Sequence, residues 1–502
     1  MRTNTNAYLV IATIAVMNFS FDFSKMVMRA DVAYASTPSN WTGALKVDTT
    51  WTQAESPYHV TGDFVVPRGI TLTIMPGTTI FFEAKARIVI RGCLIAEGAE
   101  SELIHFTRTP GSTGTWNGLQ FVDTTSENHI GYALLEYART DDGMVGLQNS
   151  NLLIDHVTMD HCDRRRIRTI NSSLIVRDCV FVDIFGTSEP PSTDNMSEHI
   201  WGSGVPKDGH FIIENNIFGT TKGHNDAIDF DGPSRPLPIP LIRDNVFLGS
   251  GDDALDLECD ADIEGNVFMN FIRDRYNTAT GESNIISAGA GKHYVMVNNI
   301  MYNSQHVAQV KNDAFLTFMN NTVVGISGAA IYFELGLPGR KPGRGAYVEN
   351  CIFWNTPLVF AGIKETTDLT ERYSVLPTQW HYLGTGNLDV DPLFADPNNK
   401  DYHLKSQAGR WDSKNQNWIN DAVTSPCIDA GDPNSSIGFE PFPNGGRINM
   451  GAYGGTGQAS KSYFGSPPCE TIVAGDINGD CKVDLQDFVL MASHWLEDNH
   501  YP

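Results

Sequence analysis

The sequence is short of positive charge. Its 502 residues carry 35 Lys and Arg against 59 Asp and Glu, a formal net charge of −24. A polyanion such as nucleic acid finds no complementary field on such a surface, so no nucleic-acid partner is expected. Long apolar runs are missing too. Tyr8–Met17 is the longest near the start; it is too short to span a bilayer, and Asp22 and Lys25 interrupt its continuation. No span is therefore expected in the mature chain. There is no P-loop, dinucleotide fingerprint or Ser–His–Asp elbow, and no His/Cys spacing suited to zinc. Helical periodicity is almost absent as well, which excludes a helical solenoid.

What is present begins with an export signature. Arg2, the short apolar run and Ala33-Tyr34-Ala35 read as a signal peptide over 1–35, so the protein is expected to be secreted or on the cell surface. Its eight cysteines are then compatible with disulfides. Cys469 and Cys481 form a plausible local pair, whereas Cys162 and Cys179 suit small buried positions.

After a lead-in over 36–59, short alternating apolar segments separated by Gly, Pro, Asp and Asn fill 60–455. From Asn151 a marker recurs: a polar pair followed by an apolar doublet. Examples are Asn215-Asn216-Ile217-Phe218, Asp244-Asn245-Val246-Phe247, Gly265-Asn266-Val267-Phe268 and Asn298-Asn299-Ile300-Met301. A base period of about 22 residues with loop insertions fits the intervals, and a fixed period of this size means stacked repeats. Strands this short favour an all-β parallel solenoid. Asn at a fixed place suits a turn in αL geometry, and its amides can ladder along the axis. The region resembles the right-handed parallel β-helix proteins that bacteria secrete or display, the pectate-lyase-like superfamily. The closing phrases Asp391–Phe394, Asp401–Leu404, Ser425–Pro433 and Asn449–Gly455 resemble the terminal coil of such proteins.

The densest chemistry lies in two echoing phrases, Asn225–Asp231 (NDAIDFD) and Asp252–Glu258 (DDALDLE). Their alternation places Ile228, Phe230, Leu255 and Leu257 on one face of a strand and the acids on the other. Stacked in register, the carboxylates sit roughly 4.8 Å apart and repel by roughly 3 kcal/mol per pair. A cation is expected beside them. Aligning the coils puts Ser287, Gln309 and Tyr332 in the row of Asp229 and Asp256, and Lys311 and Glu334 in the row of Asp231 and Glu258.

The pattern Asp252-Asp253-x-x-Asp256, with an acid one coil earlier, resembles the calcium site of family-nine pectate lyases. That resemblance implies Ca2+ held by Asp229, Asp252, Asp253 and Asp256, and β-elimination on a uronate polymer. Lys292 or Lys311 would be the base, Asp253 would share in catalysis, and Arg273, Arg275 and Tyr332 would contact substrate. Two alternatives remain. Asn225-Asp226 and Gly251-Asp252-Asp253 also resemble polygalacturonase motifs, which implies inverting hydrolysis. A non-catalytic, calcium-stabilised carbohydrate-binding or surface protein would stack acids as well. Arg164, Arg165, Arg166 and Arg168 form a basic cluster that local acids are expected to pair.

A Gly/Ser/Pro-rich linker over 456–470 leads to 471–502. There Asp476, Asn478, Asp480, Lys482, Asp484 and Asp487 fall at positions 1, 3, 5, 7, 9 and 12 of an all-oxygen calcium loop, ahead of an amphipathic helix over Leu485–Leu496. This resembles one repeat of a type I dockerin and implies calcium binding and a cohesin-like or cell-surface docking partner.

Overall fold

A computed structural model describes residues 39–186, 196–278, 282–334, 341–463, 475, 477 and 482–495. Thirty-five strands join one sheet, which winds into a parallel β-solenoid of about twelve turns. Each turn adds a strand to each of three faces. The face that matters for function stacks Ile167–Ile170, Ile200–Ser203, Ile228–Asp231, Leu255–Glu258, Asn284–Ala288, His306–Val310 and Ala329–Phe333, all parallel. Alternation turns one side of every strand inward. Ile228, Leu255, Ile286, Ala308 and Ile331 form one buried row, and Phe230, Leu257, Ala288, Val310 and Phe333 another. On the face that starts at Val180–Phe181, four phenylalanines stack through the core. Phe181, Phe218, Phe247 and Phe268 lie 4.5–4.8 Å apart between successive ring centres.

The marker divides its two tasks between two residues. The first residue of each pair supplies the left-handed turn: Asn215, Asp244, Asn298, Asn320 and Asn350 all have φ between 49° and 57°. The second points inward and builds the amide ladder. Asn216, Asn245, Asn266, Asn299 and Asn321 are fully buried, and each of the first four donates from Nδ2 to the next Oδ1 at 2.9–3.0 Å. Asn266→Leu would leave the N–H of Asn245 without its acceptor and its Nδ2 with only the Ile213 carbonyl. We expect a loss of roughly 2–4 kcal/mol in urea unfolding. A cost below about 1 kcal/mol would mean that the ladder is replaceable.

Beside this ladder, charge of alternating sign stacks outward. Asp155, Arg177, Glu214, Arg243 and Glu264 are successive partners in register. Arg177 reaches Asp155 at 2.9 Å, and Arg243 Nε reaches Glu214 at 2.8 Å. Where this solenoid stacks charge at that corner, it neutralises it.

The two ends differ from expectation. Ser39–Ala44 and Thr49–Trp51 already belong to the sheet, so the solenoid starts within the stretch read as a lead-in. The closing phrases do not form a terminal coil. The last solenoid strand is Asp368–Arg372, and the 3-10 turn Thr378–Leu383 brings Trp380 edge-on to Phe360 over the end of the core. Residues 394–463 then fold back along the side. Phe394, Tyr402, Leu404, Cys427 and Met450 form a second apolar core with Val267, Ile300, Tyr302 and Ile352 of the solenoid. Asn298 Nδ2 donates to the carbonyls of Ala452 and Gly454, and Asn320 Nδ2 to that of Asn449. Outward apolar residues on solenoid strands attract a cover, and this lateral strap is that cover.

All six described cysteines are free thiols, with Cys162 and Cys179 buried; Cys469 and Cys481 lie outside the described residues, as does the stretch read as a signal peptide. Among the described residues, no helix is long and apolar enough to cross a membrane.

Candidate metal and substrate site

The register of the acidic face is the one the in/out alternation predicts. Outward from it stand Arg168, Trp201, Asp229, Asp256, Ser287, Gln309 and Tyr332 in one row. Asp231 and Glu258 are partners in the next row. No alternation of sign occurs from Asp229 to Asp256 or from Asp231 to Glu258, in contrast to the corner ladder.

The tightest acid group is not in these rows. It forms in the turns that lead into the strands, where carboxylate oxygens of Asp226, Asp252 and Asp253 all lie within 4.8 Å of one another. Asn225 builds the lower turn: its Oδ1 accepts from Ser197 N at 3.0 Å, and its Nδ2 donates to Lys222 O at 2.7 Å. Asp226 Oδ1 accepts the backbone N–H of Asp253 at 3.0 Å, which locks the two turns together. Asp253 Oδ1 accepts from both N and Nδ2 of Asn284, at 2.8 and 2.9 Å. His224 Nε2 stands 3.1 Å from Asp252 Oδ2. Of the four carboxylates expected to share a cation, Asp252 and Asp253 are in this group. Asp229 and Asp256 are stacked beside each other one step along the strands, and Asp226 takes the third place.

Burial, and then the neighbouring acids, drive Asp226 and Asp253 well above the ordinary carboxylate range. Burial raises Asp252 to about 6, with His224 opposing, and burial with Asp256 raises Asp229 to about 7. The unfolded value is 3.8. The folded chain therefore binds more protons than the unfolded one between about pH 4 and 7, and without a cation its stability falls as pH rises through that window. A divalent ion takes the deprotonated form and opposes the fall. We expect the gain in melting temperature on adding calcium to be near zero at pH 4 and to grow up to about pH 7.5. Equal gains at both ends, read by calorimetry, would remove the cation from this site.

The donor set suits a hard cation. Three carboxylates converge, and Asn284 Oδ1 is buried with no donor to satisfy it. An all-oxygen set of this kind is what calcium takes.

The basic residues separate. Lys311 follows the row of Asp231 and Glu258 and folds back over Gly289: its Cε lies 3.3 Å from where a Cβ on that glycine would stand. Its charge is near enough to favour the ionised form of Asp252. Lys292 is tied elsewhere, with its Nζ 2.9 Å from Ser234 Oγ at the next corner. Arg273 Nε donates to Asn277 O at 3.1 Å, and the Arg275 guanidinium lies 4.7 Å over the Tyr276 ring. Tyr332 stands three strands beyond Asp256, with its ring 6.3 Å from that of His306. Within the basic cluster, Arg165 pairs with Glu198 at 2.8 Å and covers Trp201 at 4.1 Å. Arg164 and Arg168 stand 3.8 Å from Asp141 and Asp142.

His224 and Asn284 carry no periodic signal, and only the fold brings them to the acids. Asp226 was visible as the echo of Asp253.

In the C-terminal loop, Asp476, Asn478 and Asp480 lie outside the described residues. Lys482 is exposed, and Asp484 caps the helix Leu485–His494. Asp487 turns both oxygens back, accepting from Ile477 N at 2.6 Å and Asp484 N at 2.8 Å.

A family model described as disaggregatase related matches residues 379–431, which overlap the lateral strap. No curated protein matches the chain. Among solved structures, an alginate lyase from Paenibacillus sp. str. FPU-7 is 15% identical, with 53% of this chain and 92% of that chain covered at a TM-score of 0.31. A mutant of the PL6 family alginate lyase AlyGC is 14% identical, with 66% and 50% covered at a TM-score of 0.28.

Proposed function

We propose that this is an extracellular polysaccharide lyase that cleaves a uronate-containing polymer by calcium-assisted β-elimination. The observation that carries the reading is the posture of Lys311. Its side chain lies over the notch left by Gly289, beside Glu258, its charge is near enough to act on Asp252, and no carboxylate among the described residues forms an ion pair with its ammonium. A bound calcium ion would neutralise the uronate carboxylate and so acidify the C5 proton. Asp226, Asp252, Asp253 and the Asn284 amide oxygen would hold it, and Asp229 and Asp256 would border the substrate. Lys311, in its neutral form, would take the C5 proton at Nζ while the C4–O bond breaks, leaving a C4=C5 double bond on one product and a departing glycosidic oxygen that takes its proton from water. Tyr332, further along the same outward row, supports the polymer.

A second reading has its own observation. Asp252 is raised to about 6 and has His224 at 3.1 Å, and a carboxyl protonated near neutral pH is what a general acid for hydrolysis requires. One experiment separates them: incubation with pectate, alginate and other uronans, with calcium and with chelator. Calcium-dependent ultraviolet absorbance from unsaturated ends supports elimination. Reducing ends without that absorbance transfer the site to hydrolysis. No product on any polymer, with chelator still lowering the melting temperature, leaves a structural calcium site and sinks both enzymatic readings.

The C-terminal loop is proposed as a second calcium site in a docking segment. Calorimetric titration should lose one calcium per chain in an Asp484→Ala/Asp487→Ala variant, and an unchanged stoichiometry would refute it.

A further inference from the structure

The guanidinium of Arg166 is wholly enclosed by the solenoid and takes no part in the acidic face. Arg166, at the corner leading into Ile167–Ile170, is 0% exposed. Its Nη1 meets His199 Nδ1 at 2.9 Å. His199, also 0% exposed, has its Nε2 2.8 Å from Gly219 O, so Nε2 carries the proton and Nδ1 accepts. Burial, and then Arg166 itself, holds this imidazole well below its ordinary range and hence neutral. Nε and Nη2 of Arg166 are buried and have no acceptor.

Those two nitrogens form the fork edge of a guanidinium, the edge that grips anions bidentately. Elsewhere in this protein the same edge is filled by a carboxylate. Arg87 holds both oxygens of Asp63, through Nε at 3.2 Å and Nη2 at 2.8 Å, and Arg243 directs Nε and Nη2 to the single oxygen Oε2 of Glu214. Besides His199, the groups whose charge acts on Arg166 are Cys162, Asp160 and Asp183, and among the described residues none makes an ion pair with it. Asp160 is held by His161, and Asp183 Oδ1 accepts from Thr220 N at 2.7 Å. Burial pushes the Cys162 thiol up, and its Sγ donates to Arg164 O at 3.3 Å, so it brings no charge.

A guanidinium does not deprotonate inside a protein. Enclosed with Asp160 and Asp183 acting only from a distance and no carboxylate paired to it, it is costly to bury, and water satisfies its N–H groups without neutralising it. We infer that the solenoid encloses a small monovalent anion, of the halide class, against the Nε–Nη2 edge of Arg166, taken up as the coils close over it during folding. This site is independent of the acidic face and of the reaction proposed there.

The full chain, refolded from urea in sodium chloride or bromide, should melt several degrees higher than when refolded in sodium gluconate at equal ionic strength. After exhaustive dialysis, ion chromatography should find close to one halide per chain, and crystals grown from the bromide sample should show an anomalous peak beside Arg166. Arg166→Met removes the charge and fills its volume; it should refold equally well in either salt and hold no halide. A wild type whose melting is indifferent to the anion and which carries no halide would overturn the inference. So would a Met variant with the same halide content, which would make the ion adventitious. Should Arg166→Met fail to fold, the halide count and the bromide peak on the wild type decide.

Discussion

Lys311→Met is expected to lower turnover on the responsive uronan by about 10²–10⁴-fold, the range supplied by a positioned general base. Calcium binding and melting temperature should stay close to wild type. The substitution keeps the length of the side chain and its apolar stem over Gly289, and deletes the Nζ that would take the proton. Lys311 is only partly buried and pairs with no described carboxylate, so the fold has little to lose. Lys292→Met is the matched control. Its Nζ is engaged with Ser234, so the rate should change by less than about threefold, although the corner it ties should loosen slightly. If the two variants exchange these outcomes, the base is Lys292 and the corner must rearrange when substrate binds. If neither loses activity, elimination by lysine is wrong.

Asp253→Asn carries the second large effect. Asp253 is buried and accepts two hydrogen bonds from Asn284. The Asn variant keeps one oxygen for those bonds and turns an amide toward Asp226 and Asp252. Calcium affinity should drop on the order of 10²-fold or more, because one of three converging charges is gone, and activity should fall with it. Stability should move the other way. Without metal the parent holds three carboxylates together, and burial and mutual repulsion raise Asp226 and Asp253 far above their ordinary range. Removing one charge relieves that, so in chelator the variant should melt no lower than the parent above about pH 6. A variant that melts lower than the parent in chelator, with calcium affinity intact, would mean that these acids serve the fold rather than an ion.

The parts of the protein behind these two expectations differ in how far they can be read from the chain. The placement of Ser287 beside Asp256, and of Gln309 and Tyr332 beyond it, comes from counting alternations between turns, and the strand register agrees. The closing phrases were legible as a recurring β-helix ending but not as a lateral strap. Their apolar residues match any apolar surface, and only the fold shows Val267, Ile300 and Ile352 uncovered on one side. Arg166 looked like one of a run of surface arginines. Its neighbours Arg164, Arg165 and Arg168 do meet acids near the surface, whereas Arg166 is turned inward at the corner.

The chain by itself determined the winding, the inward and outward rows, and the presence of an acid-rich face. Those depend on a period of two along each strand and on a turn residue that accepts left-handed geometry, both local properties of the backbone. The tertiary structure alone decided which carboxylates converge. It set Asp226 with Asp252 and Asp253, brought His224 and Asn284 to them, and laid Lys311 over Gly289 while Lys292 meets Ser234. Turns have no period, and the direction of a long side chain depends on what its neighbour in the next coil leaves open. At Gly289 that neighbour leaves room for Lys311, and at the other corner Ser234 Oγ accepts from Lys292 Nζ.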